Sequence, residues 1–190
     1  MAEMLNTFRV LNTLVDRGVI DGYAIGGAVA ALNYIEPTLT DDLDVLISME
    51  GFASGAPSGL IDLGPIYEHL RKAGYAEFRK EGVVVEGWPV QFLPVADALD
   101  SEGLSEAVPI EIPGTGEPGI IRIRVLRPEH VVATALRLSR PKDRIRISQF
   151  LEEGAVDPVK LRGVLERHGL RAKWAEFCRT TGTEDPLGLG

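Results

Sequence analysis

The segment from residue 23 to residue 47 constrains the fold more than any other part of the chain. It begins with the apolar run Tyr23–Ile25, continues through Gly26-Gly27 into an alanine-rich stretch, and returns to an apolar run at Leu43. Short apolar runs bounded by glycine and polar residues are typical of buried strands. The segment therefore predicts a strand, a glycine turn, a short helix over residues 28–34 and a second strand.

Two carboxylates, Asp42 and Asp44, stand at the start of that second strand. Successive side chains of a strand point to opposite faces, so both carboxylates are predicted to share one face while Leu43 and Val45 face the core. Mg²⁺ prefers oxygen ligands and is usually held by one or two carboxylates together with substrate phosphates. Asp42 and Asp44 are therefore candidate catalytic metal ligands. The alternative is a pair of solvent-facing residues on an edge strand.

Gly26 and Gly27 form the second half of the same signal, since Gly27 precedes Asp42 by 15 residues. Glycine lets a backbone pass close to a ligand, and a phosphate is favoured at a helix start. We therefore predict that Gly26 and Gly27 contact nucleotide phosphates, although they could be turn glycines alone. Thr40 supplies a turn hydroxyl or, less simply, a ligand contact.

This arrangement resembles the nucleotidyltransferase superfold of DNA polymerase β, in which a Gly-Gly or Gly-Ser helix start is followed by Asp-h-Asp, where h is hydrophobic. It is most similar to the minimal bacterial nucleotidyltransferases, including the AbiEii-like toxins of type IV toxin–antitoxin systems. Their signature, Ser/Thr-x-Asp-h-Asp, reads here as Thr40-Asp41-Asp42-Leu43-Asp44. Residues 126–144 resemble the helical motif of that group, a Pro-x-His helix before a Lys/Arg-Asp turn.

The resemblance implies Mg²⁺-dependent transfer of an NMP from an NTP to a hydroxyl acceptor. The acceptor could be an RNA end, a protein or a small molecule, and a toxin would have an antitoxin partner. The basic turn then supplies nucleotide-binding residues, which we predict to be Arg140, Lys142, Asp143 and Arg144.

The chain also departs from the family pattern. Where the family places a third carboxylate on a later strand, this sequence has Gln91, whose carbonyl can ligate a cation but brings no charge. Glu86 could replace the missing carboxylate from the paired strand. Ala135 stands where the toxin-like enzymes carry a Lys. One-metal catalysis, weak catalysis and nucleotide or protein binding without turnover therefore all stay open.

The charge distribution favours a local site for a polyanion. The chain has a formal net charge of −8, which argues against a broadly nucleic-acid-binding surface. Residues 122–146, however, contain eight basic residues against two acidic ones, a balance of +6. A triphosphate or an RNA end would suit such a segment. The alternative is a solvated helix face with ion pairs to the acidic remainder.

Composition excludes several other classes of protein. No apolar run approaches the roughly 20 residues that span a bilayer, and the N-terminus has no basic start or cleavage site, so we expect a cytoplasmic protein without a membrane partner. The single Cys178 excludes an internal disulfide, and His69, His130 and His168 lack zinc spacing. The run Gly114-x-Gly116-x-x-Gly119 opens no helix and is not a dinucleotide motif.

The order of elements predicts an α/β (α+β) nucleotidyltransferase fold: a short mixed sheet with helices packed on it, followed by a helical C-terminal part. We expect a core over residues 1–126, a helical portion over 127–182 and a disordered tail over 183–190. Residues 50–60 are predicted to form a mobile loop beside the site. The remaining predicted strands cover residues 75–79, 83–86, 89–93, 108–112 and 120–125, and the remaining predicted helices cover 3–17, 65–73, 97–107, 128–138, 141–152, 158–168 and 171–180.

Overall fold

The computed structural model describes residues 2–37, 40–48, 62–114 and 119–189, which form one mixed sheet and the helices around it. The strands are β1 (Gly22–Ile25), β2 (Leu43–Ser48), β3 (Phe78–Arg79), β4 (Gly82–Val85), β5 (Trp88–Pro94), β6 (Val108–Pro113) and β7 (Ile120–Val125). The helices are α1 (Ala2–Asp16), α2 (Gly27–Ala31), α3 (Gly64–Lys72), α4 (Ala98–Glu106), α5 (Pro128–Leu138), α6 (Pro141–Glu152), α7 (Pro158–Arg167) and α8 (Arg171–Thr181).

Strand β2 lies in the middle of the sheet, whose strand order is β3-β4-β5-β2-β1-β7-β6. It pairs antiparallel with β1, with Ile25 opposite Val45, and parallel with β5, with Asp44 opposite Gln91. Because β2 has a neighbour on each side, the carboxylates do not lie on an edge strand.

The two faces of the sheet have different partners. Val45 and Phe92 are buried on the face covered by α3, where the rings of Phe92 and Tyr67 lie 6.4 Å apart. Leu46 points to the other face, where α4 and α5 cover the strands. Strand alternation therefore puts Asp44 on the face of α4 and α5, and the sequence pattern predicts its side of the strand, opposite Val45.

Helix α5 connects the sheet to the C-terminal helices. It packs against α2 and α4 on the sheet side and against α6, α7 and α8 beyond it. Its buried positions, Val131, Val132, Ala135 and Leu136, recur at helical spacing. The buried Glu129 accepts a hydrogen bond from the backbone N–H of Asp157 at 3.1 Å, where α7 begins. This packing fixes where α6 starts, and α6 carries the basic residues.

Most predicted elements are confirmed within a residue or two, and three differences stand out. The strand predicted over residues 75–79 is limited to β3, and the helix predicted over residues 28–34 ends at Ala31 and continues as turns. The predicted mobile loop over residues 50–60 lies outside the described residues. The boundary near residue 126 stays a prediction.

The disordered tail is the third difference, and the prediction is wrong for residues 183–189. Leu187 and Leu189 are 5% and 6% exposed. Asp185 accepts hydrogen bonds from Trp174 Nε1 at 2.7 Å and from the backbone N–H of both leucines. Apolar burial and a bonded carboxylate thus fasten the tail to α8.

No helix in the described ranges is long and apolar enough to cross a membrane.

Candidate active site

Asp44 lies directly against the glycine turn that precedes α2. Gly27 has a φ of +57°, and a Cβ added to it would lie 2.0 Å from Asp44 Oδ2. Gly26 donates its backbone N–H to the carbonyl oxygen of Asp44 at 2.9 Å. Position 27 therefore admits only glycine without displacing the carboxylate, because the left-handed conformation and the close approach both exclude a side chain.

Asp41 and Asp42, the two carboxylates before β2, have different partners: Thr40 contacts Asp42, and Lys80 pairs with Asp41. The Thr40 hydroxyl is 3.1 Å from both the carbonyl oxygen and Oδ1 of Asp42, so it can donate to either. Asp41 forms an exposed ion pair with Lys80, whose Nζ lies 2.6 Å from Asp41 Oδ2. Thr40 thus acts on Asp42 as a turn hydroxyl.

A cavity of about 340 Å³ lies beside both carboxylates. We call it the charged cavity, because four cationic side chains and three carboxylates line it. Its lining comprises Ala28, Thr40, Asp41, Asp42, Asp44, Lys80, Arg140, Lys142, Ile145, Arg146 and Gln149. The structure therefore brings Asp42, Asp44 and Thr40 together with Arg140 and Lys142.

A second cavity of about 370 Å³ lies on the other side of Asp44. We call it the apolar cavity, because more aliphatic side chains line it than line the charged cavity, although polar and charged side chains line it as well. It shares Asp44, Arg140 and Arg146 with the charged cavity. Its other lining residues include Gly26, Gly27, Leu46, Glu81, Gln91, Leu93, Leu99, Asp100, Leu126, His130, Val131, Thr134, Ala135, Arg137, Leu138 and Asp143.

Asp143 positions two arginines at the junction of the cavities. Its carboxylate is fully buried and accepts hydrogen bonds from Nε of Arg140 at 2.7 Å and from Nη2 at 3.1 Å. It also accepts from the backbone N–H of Arg140, and Arg146 Nη1 lies 3.6 Å away. The hydrogen bond to Asp143 raises the pKa of Arg140. The contacts of Asp143 are thus with arginines.

The surroundings of Asp44 disfavour the ionised form of its carboxyl group. Burial raises the pKa of the Asp44 carboxyl above its ordinary value, the charge of Asp42 raises it further, and Lys142, Arg140 and Arg146 oppose the shift. Burial likewise lowers the pKa of Arg146, and its Nε has no hydrogen-bond partner among the described residues. A bound cation near Asp44 and an anion near Arg146 would each supply a missing partner.

The carboxylates fit a Mg²⁺ ion that also uses oxygens of a substrate. Asp42 and Asp44 are hard oxygen donors, and Mg²⁺ is commonly held by two carboxylates plus phosphate. Across the described ranges, no group of three or more His, Cys, Asp or Glu residues could hold a metal. The donor set therefore suits an ion that arrives with a nucleotide better than one held by protein ligands alone.

Gln91 brings with it a carboxylate that the sequence analysis missed. Its Nε2 donates to Oε2 of Glu81 at 2.8 Å, and both side chains line the apolar cavity with Asp44. Glu86, which the sequence suggested instead, bonds to the Tyr75 hydroxyl and to Asn6 at the far end of the hairpin. Glu81 lies in the turn before β4, where no local pattern indicates a site.

Arg144 is the predicted nucleotide-binding residue that the structure does not bring to the carboxylates. It lines a small cavity with Ser139, Lys173 and Glu176 on another side of α6. The helical period explains the difference, because positions 142, 146 and 149 share one face of α6 and position 144 lies opposite. The same period could have identified Arg146 and Gln149, whereas Lys80 comes from a distant turn.

Comparison with known proteins supports the architecture. No protein-family model and no curated protein matches the chain. A crystal structure of ANT(2″)-Ia with adenylyl-2″-tobramycin superposes with a TM-score of 0.50 at 14% identity, covering 90% of this chain and 98% of that one. The solution structure of the antibiotic-resistance factor ANT(2″)-Ia gives 0.49 at 15% identity, covering 97% of this chain and 100% of that one. An antigenic nucleotidyltransferase-like protein from Paracoccidioides brasiliensis gives 0.47 at 17%, covering 80% of this chain and 75% of that one.

The sheet order, the central strand with Asp44 and the superposition agree on one class. This chain is a mixed α/β protein with C-terminal helices and the nucleotidyltransferase fold. At 14% identity the likeness shows the fold alone, since one fold hosts many functions.

Proposed function

We propose that this chain binds an NTP with Mg²⁺ and transfers its NMP group to a hydroxyl acceptor. The observation that carries the proposal is the charged cavity, where Asp42 and Asp44 face Lys80, Arg140, Lys142 and Arg146. Carboxylates beside several cations suit a metal-bound triphosphate better than either charge alone. The acceptors that this proposal covers are an RNA end, a protein and a small molecule.

Each group has a distinct task in this reaction. Asp42 and Asp44 would hold Mg²⁺, which neutralises charge on the phosphate oxygens when bound. Lys142 forms no ion pair with the described residues and, with Arg146 Nε, is available to phosphate oxygens. Glu81 forms no ion pair in the described part of the chain and can take the proton of the acceptor hydroxyl. Gln91 orients Glu81.

A second candidate function is nucleotide binding without turnover, and Gln91 favours it. A neutral amide beside Asp44 leaves the metal with two carboxylates, so binding can persist where catalysis is weak. The toxin role with an antitoxin partner stays a prediction from the sequence. Ala135, buried in the wall of the apolar cavity, gives it no support, because the toxin-type lysine is absent.

Calorimetric titration of the full chain with each NTP, with and without Mg²⁺, tests the proposal. We expect Mg²⁺-dependent binding that Asp42→Asn/Asp44→Asn abolishes. Asp16→Asn is the matched control, since Asp16 is exposed at the end of α1 and lines neither cavity. Binding that ignores both Mg²⁺ and the double substitution would contradict the proposal.

Gln91→Asp separates the two candidate functions. If the wild-type chain is a weak enzyme, restoring a carboxylate beside Asp44 should raise pyrophosphate release from the bound NTP, with water as the acceptor. If the chain only binds nucleotide because of Gln91, wild type should release none above the Asp42→Asn/Asp44→Asn background, and release should appear in Gln91→Asp alone.

A further inference from the structure

The apolar cavity has a wall that suits a carbon skeleton. Strands β2 and β5 contribute Leu46 and Leu93, α4 contributes Leu99, and α5 contributes Val131 and Ala135. Leu93 and Leu138 at this cavity are 37% and 49% exposed, so aliphatic surface is left facing solvent. Binding an apolar group there would remove that surface from water, which is favourable.

Several charged groups of the same wall neutralise one another, whereas Asp44 and Glu81 have no ion-pair partner among the described residues. Arg137 is bonded to Asp100 at 2.7 Å and also to Asp97. Asp143 is enclosed by Arg140 and Arg146. A polycationic molecule would therefore find few free carboxylates in this cavity, and a neutral molecule would face no uncompensated charge along most of the wall.

The position of the cavity connects it to the reacting groups. Asp44 and Gln91 are opposite each other on β2 and β5 and both line it, with Glu81 beside Gln91. The cations Lys80 and Lys142 line the charged cavity on the other side of Asp44. A hydroxyl held at Asp44 and Glu81 would thus approach a triphosphate from the apolar side.

We propose that the acceptor is a small, neutral, largely apolar molecule with a hydroxyl group, bound in the apolar cavity. The inference rests on the proposed function. A volume of about 370 Å³ lies at the lower end of the range for small-molecule sites. The hydroxyl oxygen forms a bond to the α-phosphorus, the bond to pyrophosphate breaks with its electron pair leaving on pyrophosphate, and Glu81 takes the hydroxyl proton.

Methyl NMR on the full chain, labelled at alanine, leucine and valine methyls, tests this proposal. The probes are cyclohexanol, glycerol and tobramycin, each titrated with and without Mg²⁺ and α,β-methylene ATP. We expect cyclohexanol to shift the methyls of Leu99, Val131 and Ala135 in a saturable way, and the other two probes to leave them unmoved. Shifts from tobramycin, or none from cyclohexanol, would overturn the proposal.

Two substitutions keep the test specific. Leu138→Asn removes an exposed aliphatic group at the cavity and should weaken cyclohexanol binding several-fold. Val159→Asn changes an exposed helical residue outside it and should have no effect. Equal effects of the two substitutions would contradict the assignment.

The nucleotide arm distinguishes this proposal from the proposed function. If α,β-methylene ATP competes with cyclohexanol, the cavity holds the nucleoside and the acceptor assignment is wrong, while nucleotide binding stands. If cyclohexanol binds but no NTP does by calorimetry, the cavity is an apolar ligand site, and both the acceptor role and the transferase function fall.

Discussion

Asp44 and Glu102 are two partly buried carboxylates with opposite environments. Glu102 accepts hydrogen bonds from Arg167, His168 Nε2 at 2.8 Å and His130 Nε2 at 3.2 Å, and these partners, Arg167 first, lower its pKa to about 2. Asp44 accepts no side-chain hydrogen bond from the described residues, and burial raises its pKa. Side chains of the protein thus supply the hydrogen-bond partners of Glu102, whereas Asp44 is left for a ligand.

This contrast separates a structural charge from a functional one. Glu102 joins α4 to α5 and to the end of α7, so its partners are part of the packing. The fold stabilises the ionised form of Glu102 and penalises that of Asp44. Active sites commonly carry such a penalty, because the missing partner is the substrate or metal.

Replacing Glu102 should have the largest effect on stability. Glu102→Gln weakens three hydrogen bonds to cationic or imidazole groups and should lower the free energy of unfolding at pH 7 by about 1.5–3 kcal/mol. The folded pKa is depressed from 4.5 to about 2, so this stability is present above 4.5 and is lost as the pH falls toward 2. The difference between variant and wild type should therefore narrow in acid.

Urea unfolding at several pH values measures this effect. Glu106→Gln is the control, since the Glu106 carboxylate forms one ion pair with the described residues, an exposed one to Arg127 at 3.4 Å, and such pairs contribute about 0–1 kcal/mol. If Glu102→Gln lowers the free energy of unfolding no more than Glu106→Gln does, Glu102 does not stabilise the fold in the way that its contrast with Asp44 requires.

Gly27→Ala should follow, because it disturbs Asp44 directly. A left-handed conformation costs a residue with a Cβ about 1–2 kcal/mol, and that Cβ would collide with the Asp44 carboxylate. We expect reduced stability together with weaker binding of Mg²⁺ and NTP. Gly26→Ala is the control, as its Cβ would have only ordinary contacts from 3.5 Å. Equal tolerance of both substitutions would show that the close approach is unimportant.

Arg146 and Arg144 allow the same contrast to be tested with cations, one beside the carboxylates and one away from them. Arg146 lines both cavities and has an unpartnered Nε, measured against the described residues, whereas Arg144 lies elsewhere on α6. Arg146→Gln should weaken NTP binding about tenfold, equivalent to about 1.4 kcal/mol, and Arg144→Gln should leave it unchanged. Calorimetry on both folded variants measures their NTP affinities. A larger loss of affinity in Arg144→Gln than in Arg146→Gln would show that the other face of α6 binds the nucleotide.

Asp44→Asn should give the smallest change in stability and one of opposite sign. The pKa of Asp44 is raised in the folded chain, so its favourable contribution exists below the ordinary value and is lost as the pH rises through the raised one. The variant should therefore melt at a higher temperature than wild type at pH 7, with the difference vanishing in acid. A destabilised Asp44→Asn at neutral pH would end the contrast with Glu102.

Strand and helix periodicity made much of the candidate site predictable. Alternation placed Asp42 and Asp44 opposite Leu43 and Val45, and the glycine turn before α2 followed from two residues. The charge of residues 122–146 does not separate Arg144 from Arg146, because both are arginines of the same basic segment. Applying the helical period to α6 would have separated them.

Other features had no local signal. Glu81 reaches the cavity through the pairing of β4 with β5 and its hydrogen bond to Gln91, and Lys80 reaches Asp41 across 39 positions. The tail is predicted from sequence to be disordered, yet Leu187 and Leu189 are buried. The positions of Glu81, Lys80 and the tail each depend on packing against an element that is distant in sequence. A single sequence does not show which distant elements pack together.

Local patterns predict the first strand, the glycine turn, the short helix and the strand with Asp44, because these follow from periodicities of two and 3.6 residues and from the conformational freedom of glycine. The number of partners that Asp44 and Glu102 each have is a property of the folded chain and has no local signal. Partner number depends on how α4, α5, α6 and α7 pack around each carboxylate, and burial acts on a charge only once that packing exists.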